Sequence, residues 1–130
     1  MSRYEKKALS CKVLILGESN VGKSSIATRF LSNNFDFNKY TMSGAYQNTK
    51  SLYLKDCNKL INFEIWNTPG QKKFRILHRT LYTNTNVFIL VYDITNYSSF
   101  AELKNYWINE IKNQSSKECS ILIYFLILYF

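Results

Sequence analysis

One short stretch constrains the fold of this chain more than any other. Residues 17 to 24 read Gly-Glu-Ser-Asn-Val-Gly-Lys-Ser and match the pattern G-x-x-x-x-G-K-[ST]. The stretch follows the apolar run Val13 to Leu16 and precedes apolar residues at helical spacing. A strand, a glycine-containing turn and a helix in that order aim backbone N–H groups inward at an anion. The sequence therefore predicts a phosphate-binding loop, and the alternative is a strand-to-helix turn without a ligand.

The residue types in this loop predict a site for a polyphosphate and a divalent cation. Lys23 is expected to reach the terminal phosphates, and the Ser24 hydroxyl is expected to bind Mg²⁺. We expect Glu18 to point its side chain outward. The residues predicted to contact the nucleotide phosphates here are Gly17, Glu18, Ser19, Asn20, Val21, Gly22, Lys23, Ser24 and Ser25.

Length and composition favour a single small domain. The 130 residues are enough for one domain, and a hydrophobic fraction of 46% permits a core. The formal net charge is +8, but the basic residues are scattered, which favours solvated surface around an anionic ligand over a nucleic-acid interface. Three widely spaced cysteines predict free thiols. The first residues lack the apolar segment of a signal peptide, so we expect a cytoplasmic protein.

The hydrophobic pattern predicts alternating strands and helices. Residues 34–48 and 67–75 have no clear period and predict long loops. Ser99 and Glu102 fit a capping box that opens a helix with one buried stripe, formed by Phe100, Leu103, Trp107 and Ile111. The order predicts an α/β fold with a mostly parallel sheet and helices on both faces. Strands are predicted at 11–17, 50–55, 60–66, 86–92 and from about 120, and helices at 23–33, 76–83 and 99–113.

A second polar segment directly follows a predicted strand and adds a family resemblance. It reads Trp66-Asn67-Thr68-Pro69-Gly70-Gln71. Together with the first loop it resembles the Ras superfamily of small GTPases, and within that superfamily it looks most like a Rab protein. The resemblance covers roughly residues 9 to 124. Other residues that carry it are Thr41 after a long loop, Phe63-Glu64-Ile65-Trp66, Leu90-Val91-Tyr92-Asp93-Ile94-Thr95 and Leu103-Lys104-Asn105-Tyr106-Trp107.

The resemblance implies a GTP/GDP switch with the P-loop NTPase-like fold that hydrolyses GTP and regulates vesicle-mediated, endosomal membrane traffic. By this resemblance, Lys23 and Gln71 are the catalytic residues, with Gln71 orienting the attacking water. Ser24 and Thr41 would bind Mg²⁺, and the Gly70 N–H would sense the γ-phosphate. Phosphoryl transfer needs mainly positioning and charge stabilisation, which these groups can supply.

The resemblance also implies partners. Residues 34–48 and 67–80 would be two switch segments that contact an exchange factor, a GTPase-activating protein and effectors. Peripheral association with endomembranes is expected for the family, although the 130 residues carry no lipidation motif.

Position 67 departs from the family pattern. The family has an Asp there that supports Mg²⁺ through water, whereas this chain has Asn67. An amide brings no charge, and Mg²⁺ prefers carboxylate and phosphate oxygens. We therefore expect an indirect and weakened metal contact and slower hydrolysis. Pro69 fixes φ and lacks an N–H, so the second switch segment is expected to be stiffer.

The last ten residues also depart from the family. The family reads guanine with an Asn-Lys-x-Asp segment after the fifth strand, whereas residues 121–130 form an atypical apolar tail. The interpretation is a single small-GTPase domain over residues 1–130 that lacks the last strand and helix, with a buried strand in the first half of the tail. The alternatives are a truncated phosphate-binding interaction module and an incomplete gene product without guanine specificity or turnover. A P-loop ATPase or kinase is the second enzyme class.

Overall fold

Five strands form one sheet: β1 Leu9–Leu16, β2 Tyr46–Leu54, β3 Lys59–Asn67, β4 Val87–Asp93 and β5 Ser120–Leu126. Their spatial order is β2-β3-β1-β4-β5. The computed structural model describes residues 7–33, 45–115 and 118–126, with the side chains of 77, 78, 125 and 126 left out. β1 lies at the centre and pairs in parallel with β3 and β4, β4 pairs in parallel with β5, and β2 runs antiparallel to β3.

Helices flank the sheet, and several of them are short 3₁₀ turns. The α-helices are α1 Lys23–Ser32, α2 Tyr97–Glu102 and α3 Ile108–Gln114. A π-helical turn, Leu103–Trp107, joins α2 to α3, so residues 97–114 form one helical run. The 3₁₀ turns are Lys55–Cys57, Lys72–Phe74 and Ile76–Tyr82. None of the helices within these described residues is long and apolar enough to cross a bilayer.

The sheet separates two hydrophobic clusters because side chains alternate along each strand. Val13 and Ile15 point to the face covered by α1. Leu14 and Leu16 point to the opposite face, where they pack with Leu103, Trp107 and Ile111 from the helical run. All seven of these residues are buried, and so is Ala27 of α1. Helices therefore lie on both faces, and the predicted P-loop NTPase-like α/β fold is confirmed.

The predicted strand pair is longer than the sequence pattern indicates. β2 begins at Tyr46, so the prediction of a loop through residue 48 is wrong at its end. The pairing of Tyr46 with Asn67 and of Gln47 with Trp66 extends the antiparallel ladder to the end of β3. Periodicity missed this extension because residues 46 to 51 are mostly polar and form an exposed edge.

The predicted capping box is wrong. The helix begins at Tyr97, two residues before Ser99, and the backbone N–H of Ser99 donates to the Asn96 carbonyl. The Ser99 hydroxyl is fully buried, donates to the Asn96 carbonyl at 2.7 Å and accepts from the Asp93 N–H at 3.0 Å. Phe100 is consequently not core: it is 49% exposed and packs on Tyr92. The rest of the predicted stripe is buried.

The strand predicted at the beginning of the tail is present, but the prediction that it is buried is wrong. Residues 121 to 124 form a strand that pairs with β4, but their side chains are 38–55% exposed. β5 is an edge strand of the described sheet, and residues 121–124, which alternate between its two faces, are all exposed. A cavity of about 360 Å³ opens between α1 and the sheet, and Leu122 and Tyr124 lie at its border.

Candidate phosphate-binding site

Three loops meet at the carboxyl ends of the parallel strands. Residues 17–22 follow β1, residues 68–71 follow β3 and residues 94–96 follow β4. In open α/β sheets, ligands bind in the crevice outside the carboxyl ends of strands where neighbouring connections diverge. β1 has β3 on one side and β4 on the other, so its loop occupies this position.

The loop after β1 owes its shape to residues with positive φ. The φ angles are 149° at Gly17, 62° at Asn20 and 102° at Gly22. At Gly17 a side chain is also excluded by space, because a Cβ there would overlap the carbonyl oxygen of Val91 in β4. Gly17 therefore serves both the turn and the close approach to the neighbouring strand.

Lys23 is the cation of this loop. It opens α1, is only 6% exposed, and its Nζ donates to the Glu18 carbonyl at 2.5 Å. Burial lowers the pKa of Lys23 to about 8, although the nearby Glu18 carboxylate acts in the opposite direction. The ammonium thus lies across the loop, where it is held by a backbone carbonyl.

The second segment provides polar contacts at the end of the loop. The Asn67 amide Nδ2 donates to the Ser24 hydroxyl over 2.8 Å, which joins the end of β3 to the first turn of α1. The next residue, Thr68, is fully buried, and its hydroxyl donates to the Ile15 carbonyl at 2.8 Å. These contacts fix the backbone that leads to Gly70 and Gln71.

Gly70 lies against the phosphate-binding loop. A Cβ added at Gly70 would overlap the peptide group that joins Glu18 and Ser19. This position accepts glycine because of that close approach. Gln71 follows directly, and its carbonyl accepts a hydrogen bond from the Phe74 N–H at 3.0 Å, which begins the 3₁₀ turn. The sequence-predicted residue Gly70 therefore contacts the same loop as Lys23, and Gln71 is the next residue along the chain.

The expectation that Glu18 points outward is wrong. Its carboxylate Oε1 accepts hydrogen bonds from the Arg75 guanidinium and from Trp107 Nε1, the latter at 3.1 Å. The Glu18 side chain is 19% exposed. A cation and an indole N–H satisfy the carboxylate, so it turns inward, away from the open side of the loop.

Four other residues that were predicted to contact the phosphates differ in their burial. Val21 is buried in the core cluster beneath α1, Ser25 is buried in the first turn of the helix, and Ser19 and Asn20 are progressively more exposed. Thr41, predicted to bind the metal, lies outside the described residues. The same holds for residues 34–44 of the predicted first switch segment.

The metal predicted here is Mg²⁺, and the described residues offer it neutral donors without a carboxylate. Ser24 offers a hydroxyl, and Asn67 offers an amide whose Nδ2 already donates to the Ser24 hydroxyl. Such a set suits a Mg²⁺ ion that takes its other ligands from phosphate oxygens and water. Within the described part of the chain, no three His, Cys, Asp or Glu residues form a group that could hold a metal alone.

Sequence reasoning missed Arg75 and Trp107 as neighbours of this loop. The guanidinium of Arg75 contacts Glu18, and the indole of Trp107 does the same from the helical run. A partial signal was present, because a carboxylate that is buried in an anion-binding loop needs a partner. The basic stretch after Gln71 offers a cation at its fourth position, Arg75.

The comparisons with known proteins agree with this geometry. The family described as "Ras family" matches residues 12–125, which include both loops, β1 from Lys12 onward, and all of β3 and β4. The chain belongs to the Ras family. The resemblance drawn from the two phosphate-side motifs is thereby confirmed.

Relatives within the Ras family narrow the likeness to Rab and Ypt proteins. Ras-related protein RabC of Dictyostelium discoideum is 36% identical over 86% of this chain and 56% of its own length. GTP-binding protein YPT53 of Saccharomyces cerevisiae is 40% identical over 88% of this chain and 51% of its own. GTP-binding protein YPT52 of the same yeast is 37% identical over 91% and 52%. The chain spans about half the length of these relatives.

Proposed function

We propose that this chain binds GTP and GDP with Mg²⁺ and hydrolyses GTP as a switch in vesicle-mediated membrane traffic. The observation that carries the proposal is the contact between the two motifs. Gly70 packs against the Glu18–Ser19 peptide while Lys23 lies across the same loop. A γ-phosphate bound beside Lys23 would therefore meet the backbone that leads to Gln71.

Each group has a defined part in this proposal. Gly17 to Ser25 enclose the phosphates, and Lys23 neutralises charge on the terminal phosphates as it develops during transfer. Gly70 donates its N–H to the γ-phosphate, and Gln71 orients the attacking water. Ser24, with Thr41 from outside the described residues, holds Mg²⁺, which supplies charge neutralisation on the phosphate oxygens when bound. Asn67 supports the metal indirectly and weakly.

The relatives' names support the nucleotide and the process. Two of them are named as GTP-binding proteins, and the third is named as a Ras-related Rab protein. We extend the proposal to regulators and effectors that bind residues 34–48 and 67–80. Large exposed apolar side chains in these ranges support such contacts: Tyr46 is 61% exposed and Ile76 is 73% exposed.

A second candidate function has one observation in its favour. Asn67 gives the Ser24 hydroxyl an amide donor instead of a carboxylate acceptor. Weak Mg²⁺ binding for this reason favours a phosphate-binding module that engages partners without hydrolysing GTP. Both candidate functions require the chain to bind GTP, and only the first requires it to hydrolyse GTP.

Single-turnover hydrolysis tests the proposal. The purified chain is loaded with radiolabelled GTP and Mg²⁺, and phosphate release is followed beside Gln71→Leu and Lys23→Ala. We expect slow release by the wild type, loss of release with retained binding in Gln71→Leu, and loss of binding in Lys23→Ala. Binding without release in the wild type supports the interaction module. A folded wild-type chain that binds no GTP contradicts both.

A further inference from the structure

Arg75 forms the centre of a buried cluster that joins three parts of the chain. Its Nη2 donates to Glu18 Oε1 in the phosphate-binding loop and to Glu102 Oε2 at the end of α2, the latter at 3.2 Å. The Arg75 side chain is 9% exposed, and those of Glu18 and Glu102 are 19% and 23% exposed. Water screens charges at such exposure weakly, so the orientation of these groups is well defined.

An aromatic platform lies beneath the guanidinium. Arg75 Cζ is 3.8 Å from the Tyr106 ring centroid and 4.8 Å from that of Trp107. The two rings meet edge to face, with centroids 4.9 Å apart. Both residues belong to the π-helical turn Leu103–Trp107. Planar guanidinium groups stack on aromatic faces, which lysine cannot do.

Trp107 connects the cluster to the hydrophobic core. Its Nε1 donates to the same Glu18 oxygen that accepts from Arg75. The indole is 2% exposed and belongs to the core cluster with Leu14 and Leu16 of β1. The phosphate-binding loop is therefore attached, through one carboxylate, both to the segment after β3 and to the rigid core.

A short rigid connection links Arg75 to Gln71. The Phe74 N–H donates to the Gln71 carbonyl at 3.0 Å, and the Arg75 N–H donates to the Lys72 carbonyl at 3.2 Å. These two successive 3₁₀ hydrogen bonds leave little freedom between Gln71 and Arg75. Fixing the Arg75 side chain on Glu18 therefore fixes the backbone at Gln71 relative to the loop.

We propose that Arg75 is a positioning residue that holds Gln71 against the phosphate-binding loop, with Glu18 as its anchor and Tyr106 and Trp107 as its platform. The inference rests on the proposed function, because it assigns Gln71 a place in GTP hydrolysis. The cluster couples the geometry of the nucleotide loop to that of the second switch segment. Loss of the coupling slows hydrolysis while nucleotide affinity is retained, since Arg75 lies outside the phosphate loop.

Arg79 supplies a matched control within the same segment. Its Nε donates to Glu110 Oε1 at 2.9 Å, so it also joins the segment after β3 to the helical run through an ion pair. Unlike Arg75, its side chain is 49% exposed, and its ion pair does not include the phosphate-binding loop. Arg79→Gln removes the same charge from the same segment without touching Glu18.

Fluorine NMR of the chain labelled with 5-fluorotryptophan tests the cluster without relying on turnover. The chain has two tryptophans, and a Trp66→Phe variant assigns the Trp107 resonance. We expect Arg75→Gln and Glu18→Gln to shift the Trp107 resonance and leave that of Trp66 in place. Arg79→Gln should shift neither. Arg75→Lys, which keeps the charge but not the planar stacking, serves as the milder variant if Arg75→Gln does not fold.

Single-turnover hydrolysis then tests the positioning role. We expect Arg75→Gln to slow phosphate release by roughly ten- to a hundredfold, as displacement of a group by about 1 Å can do, with a GTP dissociation constant changed by less than about threefold. Arg75→Lys should recover part of the rate, and Arg79→Gln should match the wild type.

The outcomes separate this inference from the proposed function. An unchanged Trp107 resonance in both Arg75→Gln and Glu18→Gln overturns the cluster, whatever the hydrolysis rate. Equal slowing in Arg75→Gln and Arg79→Gln overturns the positioning role. If the wild type binds GTP without hydrolysing it, turnover fails, and amide hydrogen exchange at residues 70–75 decides the inference instead. Faster exchange in Arg75→Gln than in Arg79→Gln then supports it, and equal exchange overturns it.

Discussion

At the scale of single residues, the site depends on how a buried lysine is kept ready for a phosphate. Lys23 is nearly buried, and its ammonium has the Glu18 carbonyl as its hydrogen-bond acceptor. A polyphosphate offers the ammonium several anionic oxygens in place of one neutral carbonyl. Binding therefore favours the charged form of Lys23, which links ligand affinity to pH.

The first prediction is a loss of affinity above pH 8. The pKa of Lys23 in the free chain is about 8, and a bound triphosphate raises it. Lys23 is thus charged without ligand below pH 8, whereas above it binding must take up a proton. We expect GTP affinity to be about tenfold lower at pH 9 than at pH 7. Calorimetry in buffers of different ionisation enthalpy measures the proton uptake.

Lys23→Arg is the control for this pH dependence. Arginine stays charged throughout this range, so its affinity, whatever its absolute value, should not change between pH 7 and pH 9. An equal loss of affinity in wild type and Lys23→Arg would assign the effect to a different group.

The second prediction concerns Asn67. Asn67→Asp replaces an amide that donates to Ser24 with a carboxylate that accepts from it or from a metal-bound water. We expect Mg²⁺ affinity of the GDP-bound chain to rise by about ten- to a hundredfold, the range typical of groups that orient metal ligands. Magnesium titration of nucleotide release measures it.

Asn62→Asp is the matched control for this substitution. It introduces the same charge on the same strand, but Asn62 pairs with Ser51 on β2, away from the phosphate-binding loop. A similar rise in Mg²⁺ affinity in both variants would mean that net charge, and not the position of the carboxylate, is responsible.

At the scale of elements, sequence periodicity predicted what is buried better than what lies at edges. The central strands read as continuous apolar runs because both of their faces are covered, and β1 and β4 were placed within two residues. β2 was predicted too short because its edge position allows polar residues. β5 was placed correctly along the chain, but it is as apolar as a central strand and lies at the other edge, so composition alone predicted burial that the structure does not have.

The parts of the candidate site that are formed by local backbone could be predicted from the sequence. The strand, turn and helix around Gly17 to Ser24 lie within one stretch of sequence, and Asn67 to Gln71 directly follow a strand. Glu18 was misjudged because its partners, Arg75 and Trp107, are 57 and 89 residues away along the chain. Contacts over such separations depend on tertiary structure, which a single sequence pattern does not encode.

The third prediction concerns the exposed edge of β5. Ile123 is 55% exposed on a strand whose outer backbone groups lie at the sheet edge. Natural edge strands commonly carry lysine, which opposes pairing with another chain. We expect Ile123→Lys to reduce self-association in sedimentation experiments and to change the free energy of unfolding by at most about 0.5 kcal/mol.

Thr49→Lys on the opposite edge strand is the control for this change. Thr49 is exposed on β2, which is already polar, so the added charge should leave self-association unchanged. An equal effect of both substitutions would mean that net charge, and not the β5 edge, governs association.

At the scale of the whole molecule, the described structure combines two phosphate-side loops in contact with each other and an apolar edge at β5 that is exposed to solvent. The two phosphate-side loops meet over the centre of the sheet, while a cavity of about 360 Å³ lies between α1 and the sheet, bordered by β5. The described residues to which we assign phosphate and metal contacts lie on these two loops or in the first turn of α1. This arrangement has a consequence for base selectivity.

The fourth prediction is weak selection of the base by the 130-residue polypeptide. After residue 120 it contains no Asn-Lys-x-Asp segment. Strong selection requires polar groups that pair with the base, and contacts to phosphates alone do not provide it. We expect ATP to compete with GTP at dissociation constants within about threefold of each other. A strong preference for GTP would show that other residues of the chain read guanine.

Backbone amide NMR with GDP and Mg²⁺ tests whether residues 17–25 form a polyphosphate site that contacts the segment after β3. We expect saturable shifts at Ser19 to Ser25 and at Gly70 and Gln71, with Asn62 on the middle of β3 unaffected. Lys23→Ala should abolish these shifts. A folded chain whose amides in both loops do not respond to nucleotide, or respond equally in Lys23→Ala, would contradict the account.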